Sequence, residues 1–173
     1  MRPLLVPAAL AVATLSLPTA APAHAAAATC QGLPATIEGS TGTVAGTPGN
    51  DVIVVSGSLT GSVSVLDAGA GDDLICVVGI TAQLSLRSGP GNDTIDASAA
   101  GSVIFGFLGP GADTYVGGPQ SDQIDASGNP DHVVIRTAGG DDYVAATGGS
   151  ATVETGSGDD VVSYAVPADR VPS

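Results

Sequence analysis

Six stretches of the sequence place acidic residues beside glycines, immediately ahead of a short apolar run. They are GTPGNDVIVV from Gly46, GAGDDLICVV from Gly69, GPGNDTIDAS from Gly89, GPGADTYVGG from Gly109, GGDDYVAATG from Gly139 and GSGDDVVSYA from Gly156. Carboxylate and backbone carbonyl oxygens are the ligands that Ca²⁺ takes from proteins. These residue types indicate cation binding, and their recurrence indicates that the site is repeated.

The corner aspartates recur at regular distances along the chain. The series is Asp51, Asp73, Asp93, Asp113, Asp122, Asp131, Asp142 and Asp160, with gaps of 22, 20, 20, 9, 9, 11 and 18 residues. The residue two positions after each aspartate is a β-branched aliphatic in all cases but one, which is Tyr115. A nine-residue unit cannot bury that side chain alone, whereas stacked units bury it against one another.

Other short alternating runs lie between the acidic corners and predict the return strands of each coil. They are SVSVL at 62–66, AQLSL at 82–86, SVIFGF at 102–107 and ATVET at 151–155. The predicted fold is therefore all-β, a right-handed parallel β-roll or β-helix solenoid with about 18–22 residues per coil.

Stacking brings equivalent acids close together, since neighbouring coils are ~4.8 Å apart. Two carboxylates at that distance repel by roughly 0.9 kcal/mol in water and by about 3.5 kcal/mol at an effective dielectric constant near 20. The chain has no lysine to neutralise them, and Arg87, Arg136 and Arg170 are too few. Divalent cations between successive turns would convert this repulsion into coordination, and all-oxygen ligands of flexible geometry favour Ca²⁺ over Mg²⁺.

The N-terminal residues 1–25 predict a signal peptide. Arg2 precedes an apolar core that is too short to span a membrane, and Ala23-His24-Ala25 fits the small-residue cleavage rule. The predicted organisation is a signal peptide at 1–25, a capping segment at 26–45, repeats at 46–164 and a tail at 165–173. In a secreted, extracellular protein the two cysteines, Cys30 and Cys76, predict a disulfide.

The charge balance excludes several classes of partner. The chain carries 17 acidic residues against 4 basic ones, a net charge of −13, which disfavours nucleic acid and anionic membrane surfaces and attracts cations. A hydrophobic content of 43 % argues against disorder. The predicted partners are calcium ions, and the sequence leaves any protein or cell-surface partner unidentified.

Three of the repeats resemble a known family. GAGDDLI at 69–75, GPGNDTI at 89–95 and GSGDDVV at 156–162 are similar to the nonapeptide G-G-x-G-x-D-x-U-x of the secreted bacterial hemolysin-type calcium-binding (RTX) repeat proteins. GGPQSDQID at 117–125 and SGNPDHVV at 127–134 are degenerate copies. The resemblance covers the chain from Cys30 to Tyr164.

In that family the sixth-position aspartate and turn carbonyls of one repeat enclose Ca²⁺ with the matching groups one coil later. The resemblance therefore implies the metal ligands Asp51, Asp73, Asp93, Asp113, Asp122, Asp131, Asp142 and Asp160. The chain departs from strict tandem nonapeptides, because gaps of 20 and 22 residues leave its first half acidic on one side only. At nine-residue spacing, Asp113, Asp122 and Asp131 should alternate sides, while the side that Asp142 and Asp160 join stays open.

The sequence favours a calcium-binding solenoid without catalysis, and two alternatives remain. One is a metal-free structural or adhesive solenoid, and the other is a polysaccharide-active β-helix enzyme. Carboxylates suited to acid–base chemistry are plentiful, but no catalytic or cofactor-binding residue is predicted. His132 is interpreted as a solvated strand residue.

Overall fold

The computed structural model describes residues 27–40, 42–57 and 64–165. The predicted signal peptide and residues 166–173 of the predicted tail lie outside this part of the chain, as does the start of the return strand predicted at 62–66. The described residues contain no helix, and hence none able to cross a membrane. Their strands are β1 (Thr29–Cys30), β2 (Leu33–Pro34), β3 (Ile37–Gly39), β4 (Thr43–Ala45), β5 (Val52–Ser56), β6 (Ser64–Asp67), β7 (Leu74–Val78), β8 (Leu84–Gly89), β9 (Thr94–Ala99), β10 (Ile104–Leu108), β11 (Thr114–Val116), β12 (Gln123–Arg136), β13 (Tyr143–Glu154) and β14 (Val161–Ala165).

The strands from β3 onward form a parallel solenoid with two faces. The first face pairs β3, β5, β7, β9 and β11 in that order, and the second face pairs β4, β6, β8 and β10. The first half of β12 pairs with β10 and its second half with β11, so this strand runs along both faces. β13 follows β12 around the coil, and β14 adds to the second face. Equivalent corner residues are 22, 20 or 18 residues apart, which confirms the predicted parallel solenoid and its coil length.

The interior consists of columns of apolar side chains in register. On the first face Ile53, Ile75, Ile95, Tyr115 and Ile135 lie one above another and are fully buried. Burying one such aliphatic side chain contributes about 1.5–3 kcal/mol, and each coil obtains that burial only from its neighbours. From Ile53 to Tyr115 the column consists of the residues two positions after the corner aspartates, so this repeated spacing sets the register of those coils.

The second face makes room for the one aromatic side chain in this core. Gly106 stands in the inward column between Leu86 and Ile124. A Cβ atom at Gly106 would lie 2.9 Å from Ile124 Cδ1 and 4.0 Å from the ring of Tyr115. The missing side chain on one face thus compensates for the larger ring on the other, as close packing requires.

A short hairpin outside the solenoid is attached to the first face by the predicted disulfide. Antiparallel β1 and β2 pack on the outer side of β5 and β7, where Cys30, Val54 and Cys76 form a small buried cluster. Cys30 and Cys76 are bonded, with Cα atoms 5.5 Å apart, across 46 residues of sequence. The disulfide prediction is confirmed in this structure.

Replacing Cys30 and Cys76 by serine should destabilise the protein by about 4 kcal/mol, because the open chain gains entropy when a loop of this length is released. Urea unfolding monitored by circular dichroism would measure the change, with reduced wild-type protein as the second reference. Equal midpoints for oxidised wild type and the double variant would contradict a stabilising role for the bond.

Candidate metal centre

Four aspartates form a row at the first edge, which we define as the corner that precedes each strand of the first face. Asp51, Asp73, Asp93 and Asp113 stand immediately before β5, β7, β9 and β11. The register of these strands places the four residues at equivalent positions of successive coils. All four are buried. The structure therefore brings together, in one row, the first four predicted site residues.

Backbone N–H groups give this row a hydrogen-bonded ladder. The N–H of Asp51 donates to Asp73 Oδ1 at 2.8 Å, that of Asp73 to Asp93 Oδ1 at 2.9 Å, and that of Asp93 to Asp113 Oδ1 at 3.0 Å. Hydrogen bonds to ionised carboxylates are stronger than those to neutral acceptors. Each bond thus offsets part of the repulsion between stacked carboxylates, and it uses one oxygen of each acceptor.

The second oxygen of the interior members of the row has no partner. Asp73 and Asp93 are only 2 % and 1 % exposed, and the Oδ2 atom of each is buried without a hydrogen bond. Burial raises the pKa of Asp93, and the buried Ser88 hydroxyl, which also makes no hydrogen bond within bonding distance, partly offsets that rise. A buried ionised oxygen is costly unless a donor or cation faces it. These two atoms are therefore the places on the first edge where a bound cation would relieve an existing deficit.

The ends of the row are satisfied by the protein itself. At the first end, Asp51 Oδ2 accepts the Thr47 N–H at 2.8 Å and the Thr47 hydroxyl at 2.9 Å, while the Thr36 hydroxyl donates to Oδ1 at 3.2 Å. At the other end, Asp113 Oδ2 accepts from Asn129 Nδ2 at 3.2 Å. Sequence reasoning did not identify these capping residues.

A shorter row occupies the second edge, the corner that precedes strands of the second face. The N–H of Asp122 donates to Asp142 Oδ1 at 2.7 Å, and the N–H of Asp142 donates to Asp160 Oδ1 at 3.0 Å. Asp142 is 2 % exposed and its Oδ2 has no partner. Asp142 and Asp160 thus join the edge of Asp122, which the sequence had left open.

Asp122 resembles the end members of the first row rather than the interior ones. Its Oδ2 accepts the hydroxyl of the buried Tyr115 at 2.9 Å, and its Oδ1 accepts the N–H of Ile104 at 3.1 Å. Both oxygens are therefore used within the protein.

Asp131 lies outside both rows. Thr114 pairs with Val134, so Val133 rather than Asp131 occupies the position one coil after Asp113. Asp131 is exposed, and its N–H donates to Asn129 Oδ1 at 2.9 Å. The buried Asn129 is the side chain that reaches the first edge from this coil.

The residues immediately before the row aspartates form a second, outer ladder. In this ladder the N–H of the later coil donates to a side chain of the earlier coil, which is the reverse of the direction in the aspartate row. The N–H of Asp72 donates to Asn50 Oδ1 at 2.9 Å, that of Asn92 to Asp72 Oδ1 at 2.8 Å, and that of Ala112 to Asn92 Oδ1 at 2.9 Å. Asp159 and Asp141 repeat the contact at the second edge. The Asn-Asp and Asp-Asp pairs in the repeats carry this signal, which sequence reasoning did not use.

Glycines allow the turns to stack closely enough to share ligands. Gly91 has a φ of +143°, in the region that disfavours side chains, and a Cβ atom there would overlap the carbonyl oxygen of Gly71. The carbonyl oxygen of one turn therefore lies against the backbone of the next turn beside the aspartate row.

Burial dominates the titration behaviour of the row aspartates. It raises the pKa of Asp73 to about 6, and nearby charges on Asp93 and Asp51 add to the rise. Burial also raises the pKa of Asp113 and of Asp122 to about 6 and that of Asp93 above its usual value. The Thr47 N–H lowers the pKa of Asp51. The carboxyls of Asp73, Asp113 and Asp122 are therefore ionised at neutral pH, but they take up a proton about two pH units above an ordinary aspartate.

The available oxygen ligands fit a hard cation that is coordinated by few side chains and mainly by backbone carbonyls and water. Within residues 27–40, 42–57 and 64–165, no three His, Cys, Asp or Glu side chains converge on one point. A bound ion would take a carboxylate oxygen of Asp73, Asp93 or Asp142 and complete its shell with turn carbonyls and water. Ca²⁺ accepts such mixed oxygen ligands.

Comparison with known proteins identifies the repeats. Residues 87–124, 107–134 and 136–164 match the RTX calcium-binding nonapeptide repeat, a unit of four copies. The matches omit residues 46–86, although Asp51 and Asp73 continue the row of Asp93. No curated protein and no solved structure matched the chain.

Proposed function

Because the chain carries RTX calcium-binding nonapeptide repeats between residues 87 and 164, we propose that it is a secreted, non-catalytic protein whose solenoid is stabilised by Ca²⁺ bound along the two aspartate edges. The observation that carries this proposal is the unpartnered buried Oδ2 atom of Asp73, Asp93 and Asp142. Each is a carboxylate oxygen with no donor or cation beside it. Asp93 and Asp142 lie within the matched calcium-binding repeats, and Asp73 continues the row of Asp93.

The proposal assigns unequal roles to the eight predicted ligands. Asp73, Asp93 and Asp142 would contribute a free oxygen directly to an ion. Asp51, Asp113 and Asp122 would serve mainly as ends of the rows, since side chains of the protein already occupy their oxygens. Asp160 extends the second row and belongs with the ligands of that edge, whereas Asp131 stands apart.

Calcium would act on folding rather than on catalysis. The rows exist only when the coils are stacked, so an ion that needs them binds the folded chain and stabilises it by mass action. Extracellular calcium modules bind at about 10⁻⁴–10⁻³ M. With the signal-peptide pattern of residues 1–25, this favours a chain that completes its folding after export.

A metal-free solenoid is the second candidate, and the backbone ladder is the observation in its favour. One N–H donor for each interior carboxylate removes part of the repulsion without any ion. The free Oδ2 atoms would then hold no metal ion.

Ion counting on three variants tests the proposal. Asp93→Asn should remove one bound Ca²⁺ or weaken its binding by about tenfold or more. Mutating a residue that only orients a ligand already weakens metal binding by about tenfold, and loss of the ligand itself should weaken it at least as much. Asp67→Asn, which removes an exposed acid outside both rows, and Asp131→Asn should leave the count unchanged. Equilibrium dialysis with metal analysis gives the stoichiometry, and calorimetric titration gives the affinity.

Wild-type protein that retains no calcium at millimolar concentrations would contradict the proposal. Equal losses in Asp93→Asn and Asp67→Asn would indicate diffuse attraction by net charge instead of defined sites.

A further inference from the structure

The side-chain amide of Asn129 lies among three oxygens of the preceding coil. Its Nδ2 donates to the carbonyl oxygen of Gly109 at 2.7 Å, to that of Gly111 at 2.8 Å, and to Asp113 Oδ2 at 3.2 Å. Two turn carbonyls and the row carboxylate therefore converge on a single nitrogen. This is a donor set that a hard cation would also accept.

The other half of the amide replaces the backbone of a regular turn. In earlier coils the N–H of Gly71 donates to Pro90 O at 3.0 Å, and the N–H of Gly91 donates to Pro110 O at 3.0 Å. The matching N–H of Gly111 instead points to Asn129 Oδ1 at 3.5 Å. The side-chain oxygen of Asn129 thus takes the place of the turn carbonyl that accepts this N–H in the earlier coils.

A change in backbone register accompanies the substitution. The pairing of β12 with β13 shifts between Ser127 and Asn129 and again between Asn129 and His132. Asn129 is only 3 % exposed, so its amide is fully committed to these contacts. The interior aspartates Asp73 and Asp93 have no hydrogen bond on Oδ2, although they occupy the position of Asp113 two coils and one coil earlier.

We infer that Asn129 is a built-in substitute for a cation, which closes the ion row of the first edge at Asp113. Removing the amide opens one further Ca²⁺ site, formed by the carbonyls of Gly109 and Gly111 and the carboxylate of Asp113. The inference rests on the proposed function, because it requires that the equivalent oxygens of Asp73 and Asp93 hold calcium.

The physical basis is a match of charge and position. The two amide hydrogens carry partial positive charge and are shared among three oxygens in a buried space, without introducing a full charge. When the amide is absent, those oxygens become unpartnered in the same way as Asp73 Oδ2, and a dication or water must replace it.

The decisive variant is Asn129→Ala, studied as full mature chain. It should bind one more Ca²⁺ than wild type, and in chelator it should melt at a lower temperature than wild type, with calcium restoring the difference. Asn92→Ala is the matched control, since that asparagine is exposed and belongs to the outer ladder. Its ion count should equal that of wild type.

A double variant guards against misfolding as the explanation. Adding Asp113→Asn to Asn129→Ala should return the ion count to the wild-type value, because the carboxylate of the opened site is then lost. Wild-type protein without bound calcium would defeat the proposed function itself. Calcium-binding wild type with an unchanged count in folded Asn129→Ala would overturn only the role of Asn129.

Discussion

Removing calcium should lower the melting temperature of the mature protein by about 20 °C. Three unpartnered oxygens, on Asp73, Asp93 and Asp142, offer three places for ions. One site at a free concentration a hundredfold above its dissociation constant stabilises the folded chain by about 2.7 kcal/mol. Three such sites together contribute about 8 kcal/mol. For a chain of this size each kcal/mol changes the melting temperature by about 2–4 °C, which gives a shift of about 20 °C.

Thermal unfolding followed by far-ultraviolet circular dichroism measures this effect. The comparison is between protein in about 10 mM calcium, a hundredfold above a dissociation constant of ~10⁻⁴ M, and protein in excess chelator at equal ionic strength, so that general screening of the net charge of −13 is held constant. Magnesium at the same concentration provides the ion control, because it loses its water reluctantly and needs stricter geometry. Identical melting curves in calcium and chelator, with no metal retained, would refute calcium-dependent stability.

The calcium-free protein should be more stable at pH 5 than at pH 7.5, by about 5–10 °C. The folded-state pKa values of Asp73, Asp113 and Asp122 are about 6, above the ordinary value of 3.8. The folded state therefore binds protons more tightly than the unfolded state. The resulting stability is complete below pH 3.8 and is lost as the pH rises through 6.

Other groups modify this dependence without reversing it above pH 5. The pKa of Asp51 is lowered by the Thr47 N–H, so its contribution is present above pH 3.8 and disappears only at lower pH. The falling net negative charge acts in the same direction as the three raised pKa values.

Saturating calcium should reverse the trend, because the ion binds ionised carboxylates and competes with protons. Melting temperatures measured from pH 5 to pH 7.5 should then rise with pH in calcium and fall with pH in chelator. Asp122→Asn should flatten the slope in chelator, since burial raises the pKa of Asp122 to about 6 even though the Tyr115 hydroxyl and the Ile104 N–H both donate to its oxygens. Parallel slopes with and without calcium would show that the two equilibria are not linked through these groups.

Much of the fold is contained in short stretches of sequence. The glycine corner, the aspartate and the apolar residue two positions later recur together, and their repetition every 20 or so residues predicts both the stacking and its register. The rows of Asp51 to Asp113 and the side of Asp122 follow from this pattern, because in-register apolar columns such as Ile75 under Ile95 force equivalent corners to align.

The pairing of Cys30 with Cys76 was also predictable, since the described chain offers these two cysteines and no others. The packing of the hairpin against β5 and β7 was not, because nothing in the sequence of residues 27–35 indicates which face it covers.

By itself, then, the sequence determined the solenoid, its coil length and the alignment of most acidic corners, because all of these follow from repetition along the chain. Only the tertiary structure decided that Asn129 replaces Asp131 at the end of the first row, and that Asp122 is bound by Tyr115. Residue spacing predicts which positions are equivalent in successive coils. It does not predict the register shift in β12 or the packing of Gly106 opposite Tyr115, and these decide which side chains are in contact. The oxygens left free for calcium are set by those contacts between coils.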